Sequence, residues 1–283
     1  MSAIQELIKE IDNLKPIPAV VNQIIAVTEN PKSSMADIAR IVLYDPVLTA
    51  NILRMSNSSF YALPRRVESV QEAITMLGVD QVIDMVLMKS GAANLTKGQA
   101  GYGLHEGELW KQAVASALIA RDLAEKKGST HKQMVFTAAL LKDIGKVILD
   151  RFVGDAFSRI DDLVQNKGYT FREAEKKIIG IDHAELGGLV AKMWDFSPRM
   201  VNLIKNHHLN DEEARNDLES QILYVADNVC MMMGIGGGAD GLAYRFHRDV
   251  LEKLGITPHD LQEIIATFGS EMRQVEDLLN VMG

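Results

Sequence analysis

"AALLKDIGKVILD", residues 138–150, reads as the centre of an amphipathic helix. Ala138, Ala139 and Val147 continue the spacing of three and four that Val135 begins, which is the mark of a helix with one buried face. The stretch also sets a carboxylate, Asp143, among apolar neighbours and directly after Lys142. An acid in an apolar run points inward, and an inward acid needs a partner.

The same periodicity extends in both directions. Ile38, Ile41 and Val42 repeat it near the N-terminus, and strand-like alternation is hardly present. Helix starts are written as N-cap and proline pairs at Asp45-Pro46 and Ser197-Pro198. Capping boxes run from Ser69 to Glu72 and from Thr170 to Glu173. Short breaks containing Gly or Pro separate the helices: "NPKS" at 30–33, "LPRR" at 63–66, "LGVD" at 77–80 and "TKGQAGYG" at 96–103. The chain therefore reads as all-α, with about a dozen helices. The break at 96–103 divides an N-terminal helical subdomain, 1–97, from a bundle, 98–233. A second glycine-dense break, "GIGGGADG" at 234–241, precedes a C-terminal helical segment, 242–283. It lacks the Lys-Ser or Lys-Thr of a phosphate loop and no strand leads into it, so it reads as a mobile loop.

The 283 residues suffice for a sizeable core, and 47% hydrophobic with 24% charged residues is the composition of a globular protein. A net charge of −8 repels phosphate backbones, so nucleic acid is not the expected partner. Cys230 is the single cysteine, which rules out an internal disulfide and suits a reducing compartment. The first residues, "MSAIQELIKEID", lack the pattern of a secretory signal, and no apolar run is long enough to span a bilayer. A cytoplasmic location is the expectation.

Imidazoles and carboxylates gather in the second half, at Asp143, His183, His207, His208 and Asp227, each from a different helix or helix end. A bundle builds an internal metal site in this way. "KDIGK" at 142–146, "HAELGG" at 183–188, "NHH" at 206–208 and "YVADN" at 224–228 resemble the ordered motifs of the HD superfamily of metal-dependent phosphohydrolases. "DIARIVLYDPVLTANILRMSNSSFY" at 37–61 and "SVQEAITMLGVDQVIDMVL" at 69–87 resemble the signature of HDOD domains, the HD-related output domains of bacterial signalling proteins. The resemblance runs from about Leu14 to Cys230 and implies an HD-like bundle with an N-terminal HDOD subdomain.

Carried over onto this chain, the superfamily's first histidine falls on Gln112 and the histidine of its His-Asp pair on Lys142, so only Asp143 and Asp227 remain of the first metal's four ligands. A protonated lysine has no lone pair to give a cation. Lys142 is expected to pair with Asp143 or Asp227, the latter favoured because adjacent helical residues diverge by about 100°. Asp143, His183, His207 and His208 correspond to the second metal's ligands and suit one divalent transition metal such as Zn, Mn or Fe. The glycine-tyrosine-proline signature of the cyclic-dinucleotide phosphodiesterases is absent after "NHH". The resemblance thus implies a non-catalytic signalling module with other signalling proteins as partners and no required cofactor; the alternative is a phosphohydrolase or phosphodiesterase with a single metal site.

Plainer roles compete for several of these residues. His183 follows an N-cap, Asp182, with Glu185 completing a box, and reads equally as a solvated first turn. His207 and His208 can end the helix begun at Ser197, where exposed carbonyls favour a cation. Gly145 inside a helix costs about 1 kcal/mol and implies close packing against a neighbour. Met231, Met232 and Met233 cover the girth of a helix and read as core, Asn57 and Ser58 as a helix-ending turn, and Arg65 with Arg66 as a solvated loop.

Overall fold

A computed structural model of the chain describes residues 19–29, 46–243 and 247–282, with Leu7, Glu10, Ile11, Leu14, Ile41 and Val42. Ile38, Asp45 and the break at 30–33 lie outside the described residues. Among those described every regular element is a helix, and one isolated bridge, between Gln99 and Leu104, closes a turn. None of their helices is long and apolar enough to cross a membrane.

Two compact units form. One comprises residues 17–93 and 266–283 and contains α1 (Ala19–Glu29), α2 (Pro46–Ser56), α3 (Val70–Leu77) and most of α4 (Val79–Leu95). Ser69 caps α3 by accepting the Glu72 amide at 3.1 Å, and α3 packs on α2. Asn57 proves to be a clamp: its amide donates to the Leu53 and Val67 carbonyls at 2.7 and 2.9 Å, and its oxygen accepts the Val67 amide at 2.8 Å. One short side chain thereby closes the loop that carries Arg65, itself exposed and paired with Glu72 at 2.6 Å.

The larger unit comprises residues 1–16 and 94–265. Its helices are α5 (Glu108–Lys126), α6 (Lys132–Leu141), α7 (Ile144–Lys167), α8 (Phe171–Ile179), α9 (His183–Met193), α10 (Pro198–Lys205), α11 (Glu212–Asn216), α12 (Leu218–Met232), α13 (Arg248–Leu254) and the start of α14 (Pro258–Met282). Alanines 113, 115, 117 and 120 make α5 slim and apolar on most faces, so it lies inside, packed on α6 and α12. Around it α9 packs on α7 and α10, and α8 on α7. The Thr170 capping box forms in full: Thr170 accepts the Glu173 amide and Glu173 accepts that of Thr170.

The stretch 138–150 is not one helix. α6 stops at Leu141, Lys142 and Asp143 form a turn, and α7 begins at Ile144 with Asp143 at its N-cap position, φ −95° and ψ 11°. Apolar spacing continues across the break because both helices bury the same side, so periodicity alone could not show it. Gly145 is therefore a first-turn residue rather than an interior one. A Cβ there would stand 2.0 Å from the His183 carbonyl oxygen, so glycine lets the first turns of α7 and α9 meet backbone to backbone.

The loop at 234–241 packs against the bundle. Its last residues enter a 3-10 turn, Ala239–Ala243, and a Cβ on Gly238 would lie 2.4 Å from the Tyr102 carbonyl oxygen. Gly236, with φ +68°, sits against Gln112.

Candidate functional site

The turn between α6 and α7 brings two adjacent side chains together. Lys142, 1% exposed, bonds Asp143 and reaches Asp227 of α12 at 2.6 Å. Lys142 takes both of the acids expected as alternatives, and the preference for Asp227 is corrected, since the divergence of neighbours on a helix does not apply where the helix has ended. One turn on, buried Lys146 lies 3.0 Å from the other Asp143 oxygen and 2.6 Å from Asp240. Gln112 of α5 completes the cluster by donating to Asp227 at 3.3 Å.

Burial pushes both lysines towards the neutral form, but the facing carboxylates outweigh it and hold them above the ordinary lysine range. Burial likewise favours protonated acids, yet Lys142 keeps Asp227 below the usual carboxylate range and, with Lys146, Asp143 well below it. Within the cluster, Lys142, Lys146, Asp143 and Asp227 thus favour one another's charged forms.

Beside it stand three imidazoles. His183 opens α9 behind its N-cap Asp182, which accepts the Glu185 amide at 2.8 Å. The N-cap bond is as expected, but Glu185 does not complete a box, since its carboxylate pairs with Lys176, and the His183 ring is only 2% exposed, so the solvated reading is corrected. Its Nδ1 lies 2.7 Å from Glu175, which also accepts the His183 backbone amide and, through its other oxygen, the Tyr102 hydroxyl at 2.6 Å. His207 and His208 follow the end of α10 at Lys205. The Nδ1 of His207 donates to the Ile204 carbonyl at 2.8 Å, which turns the lone pair of Nε2 into the cluster, where that buried atom has no hydrogen-bond partner.

One ligating atom from each ring lies within 4.8 Å of the others. His183 Nε2 stands 2.9 Å from His208 Nε2, and an Asp143 oxygen lies 3.9 Å from His183 Nε2 and 4.0 Å from His207 Nε2. Burial lowers His207 to about 4 and His208 well below its ordinary value, so both are neutral at physiological pH. Burial also lowers His183, but the Glu175 carboxylate outweighs it and the net shift is upward.

The two positions to which the resemblance assigns metals therefore differ. The first does not fit an ion, because an ammonium bridges Asp143 and Asp227 and Gln112 turns a donor towards Asp227. The second fits one: three imidazole nitrogens converge and one is an orphaned buried lone pair. Asp143 adjoins these rings but gives its oxygens to lysines.

Lys146, Asp240, Glu175 and Tyr102 escaped the sequence reading. Lys146 alone left a trace, three residues after Asp143 and so on the same side of a helix. A cavity of about 190 Å³ opens beside the rings, lined among others by Arg172, His183, His208, Arg215, Tyr224 and Asp240.

An all-helical bundle with carboxylates and imidazoles from separate helices converging at its centre defines the HD-like class. Within it, the chain belongs to the HDOD domain family, whose model matches residues 14–210. It is similar to a solved HDOD domain protein of unknown function from Geobacter sulfurreducens, with 25% identity, a TM-score of 0.75 and coverage of 100% of this chain and 97% of that one. It shares its fold with a candidate signal transduction protein from Marinobacter aquaeolei VT8, with 20% identity, a TM-score of 0.78 and coverage of 99% and 66%. An uncharacterized protein of Treponema pallidum (strain Nichols) is 21% identical over 201 residues, 70% of this chain; the chain spans only 38% of that relative's length.

Proposed function

We propose that the chain is a non-catalytic signal-transduction module of the bacterial cytoplasm that acts through contacts with other signalling proteins. The observation that carries this reading is Lys142, whose ammonium stands between Asp143 and Asp227. HD-type hydrolysis uses two cations to clamp the attacking and leaving oxygens, and a fixed positive charge in one seat neutralises the acids without offering a coordination position. Lys142 is also enclosed on both sides by carboxylates, which leaves no face for a phosphate.

The test is metal analysis of protein purified without chelators, followed by turnover assays on nucleotides and cyclic dinucleotides with added Mn²⁺. The expected result is at most one ion per chain and no turnover above a denatured control. A metal-dependent rate that disappears in His183→Ala but persists in a distant surface variant would sink the proposal.

The second reading, a phosphohydrolase with one metal, draws on the convergence of His183, His207 and His208. Such an ion would supply a Lewis acid for a phosphoryl oxygen. In that reading the three rings hold it and Arg172 and Arg215 at the cavity wall orient the anion.

A further inference from the structure

The reading of the imidazoles as a cation site leaves Glu175 without a role, although it is among the most deeply buried acids in the chain. An acid at 0% exposure is costly unless its oxygens are matched by donors. Here the match is complete and directional. One oxygen takes the Tyr102 hydroxyl at 2.6 Å; the other takes both the Nδ1 and the backbone amide of His183, at 2.7 and 3.1 Å. Tyr102 is itself wholly buried, and its ring stands edge-on to His183 at 6.4 Å between centroids. Burial and the Glu175 charge hold its phenol well above the usual range, so it remains a donor.

We infer that Glu175, steadied by Tyr102, is a positioning residue that sets the affinity of the His183, His207 and His208 cluster for a divalent cation. A histidine ligates through a ring nitrogen that carries a lone pair, and a carboxylate at Nδ1 fixes the proton there and leaves Nε2 free. It also makes that nitrogen more electron-rich and stops the ring from rotating. His207 receives the same treatment from the Ile204 carbonyl, a weaker acceptor than a carboxylate. His183 is thus the ring on which the protein spends a charge, and its Nε2 faces both His208 and Asp143. The second bond to the backbone amide locks Glu175 to the first turn of α9, so carboxylate and ring move as one piece.

The experiment titrates Zn²⁺ alone, in competition with a chromophoric chelator, into the full chain and into Glu175→Gln, Tyr102→Phe and His183→Ala. Glu175→Gln keeps the shape and one of the two acceptor oxygens while removing the charge. It is expected to weaken zinc binding by about 10- to 100-fold. Tyr102→Phe should give a smaller loss in the same direction, and His183→Ala the largest. Ring ¹⁵N spectra of the metal-free protein supply a readout that a merely structural role would not move. His183 should carry its proton on Nδ1 in the wild type, with a mixed tautomer in Glu175→Gln at an unchanged melting temperature. Tight wild-type binding with equal affinity in Glu175→Gln overturns the inference and leaves the cation site standing. No zinc binding by any of the four proteins removes the site and the inference together.

Discussion

Lys142 supplies positive charge between two buried acids. Asp143 and Asp227 are 3% and 1% exposed, and buried acids of that kind persist only with positive charge against them. Removing one partner of a buried pair costs about 3–5 kcal/mol, because the other is left without compensation. Lys142→Ala should therefore lower the urea midpoint sharply, while Lys142→Met combined with Asp227→Asn should recover part of the loss; equal midpoints for wild type and Lys142→Ala would contradict the pairing. The histidines add a pH dependence. His207 and His208 have lowered values when folded, against about 6.5 unfolded, so the unfolded chain binds more protons on acidification and stability falls as pH drops from 6.5 towards 4. His183, raised, works in the opposite sense: its contribution is present below 6.5 and is lost as pH rises through its folded value. Asp143 and Asp227 are depressed and withdraw their contribution only as pH falls below about 4. Two histidines against one give the expected outcome, a lower urea midpoint at pH 5 than at pH 7, with the difference reduced in His207→Asn. At this scale Gln112 and Lys142 were legible because each has the wrong chemistry for its place in a motif. Glu175 and Asp240 were not, because Tyr102, which bonds Glu175, and Lys146, which pairs with Asp240, are distant from them in sequence.

Helix starts are the most legible part of the elements. Ser69, Thr170, Asp182 and Ser197 all cap where a hydroxyl or carboxylate meets exposed amides, since capping is a local bond that needs no tertiary information. The end of α6 was hidden for the opposite reason. Neither Gly nor Pro marks it, and the chain turns at Lys142 and Asp143 because their charged ends are held by α12 and by each other. The close approach of α7 to α9 is the element-level consequence of Gly145. With the His183 carbonyl oxygen 2.0 Å and the Gly187 nitrogen 3.0 Å from where a methyl group would stand, an alanine must force the two first turns apart. Overpacking of this kind costs about 1–3 kcal/mol. Gly145→Ala should lower the melting temperature and weaken zinc binding together, since the backbone it displaces carries His183; Gly237→Ala, whose added carbon meets nothing within 4 Å, is the matched control. Zinc affinity unchanged in Gly145→Ala would separate the helix contact from the cluster.

For the whole molecule, the proposed reading raises the question whether an HD metal cage has been dismantled or only refilled. The helices around it, α5, α7, α9 and α12, are held by an apolar core in which Val114, Ala117, Leu149, Val190 and Val229 are fully inaccessible. All-helical architecture could be read from periodicity and caps, whereas the Asp240 partner of Lys146 could not. If the cage is intact, exchanging the ammonium for lone pairs should make it a metal site again. Lys142→His with Gln112→His would release the Asp143 oxygen that Lys142 holds and the Asp227 oxygen that both residues hold, while Lys146 keeps the second Asp143 oxygen at 3.0 Å. Two imidazoles and two carboxylate oxygens then face one point, a ligand set suited to manganese or iron. After equilibration with Mn²⁺ and gel filtration, the double variant is expected to carry one more ion per chain than the wild type. Each single variant should gain less, because one retained donor still occupies the centre. A double variant that folds with an unchanged far-ultraviolet spectrum and gains no ion would mean that the helices have closed around the lysine, and that the cage did not outlast its metal.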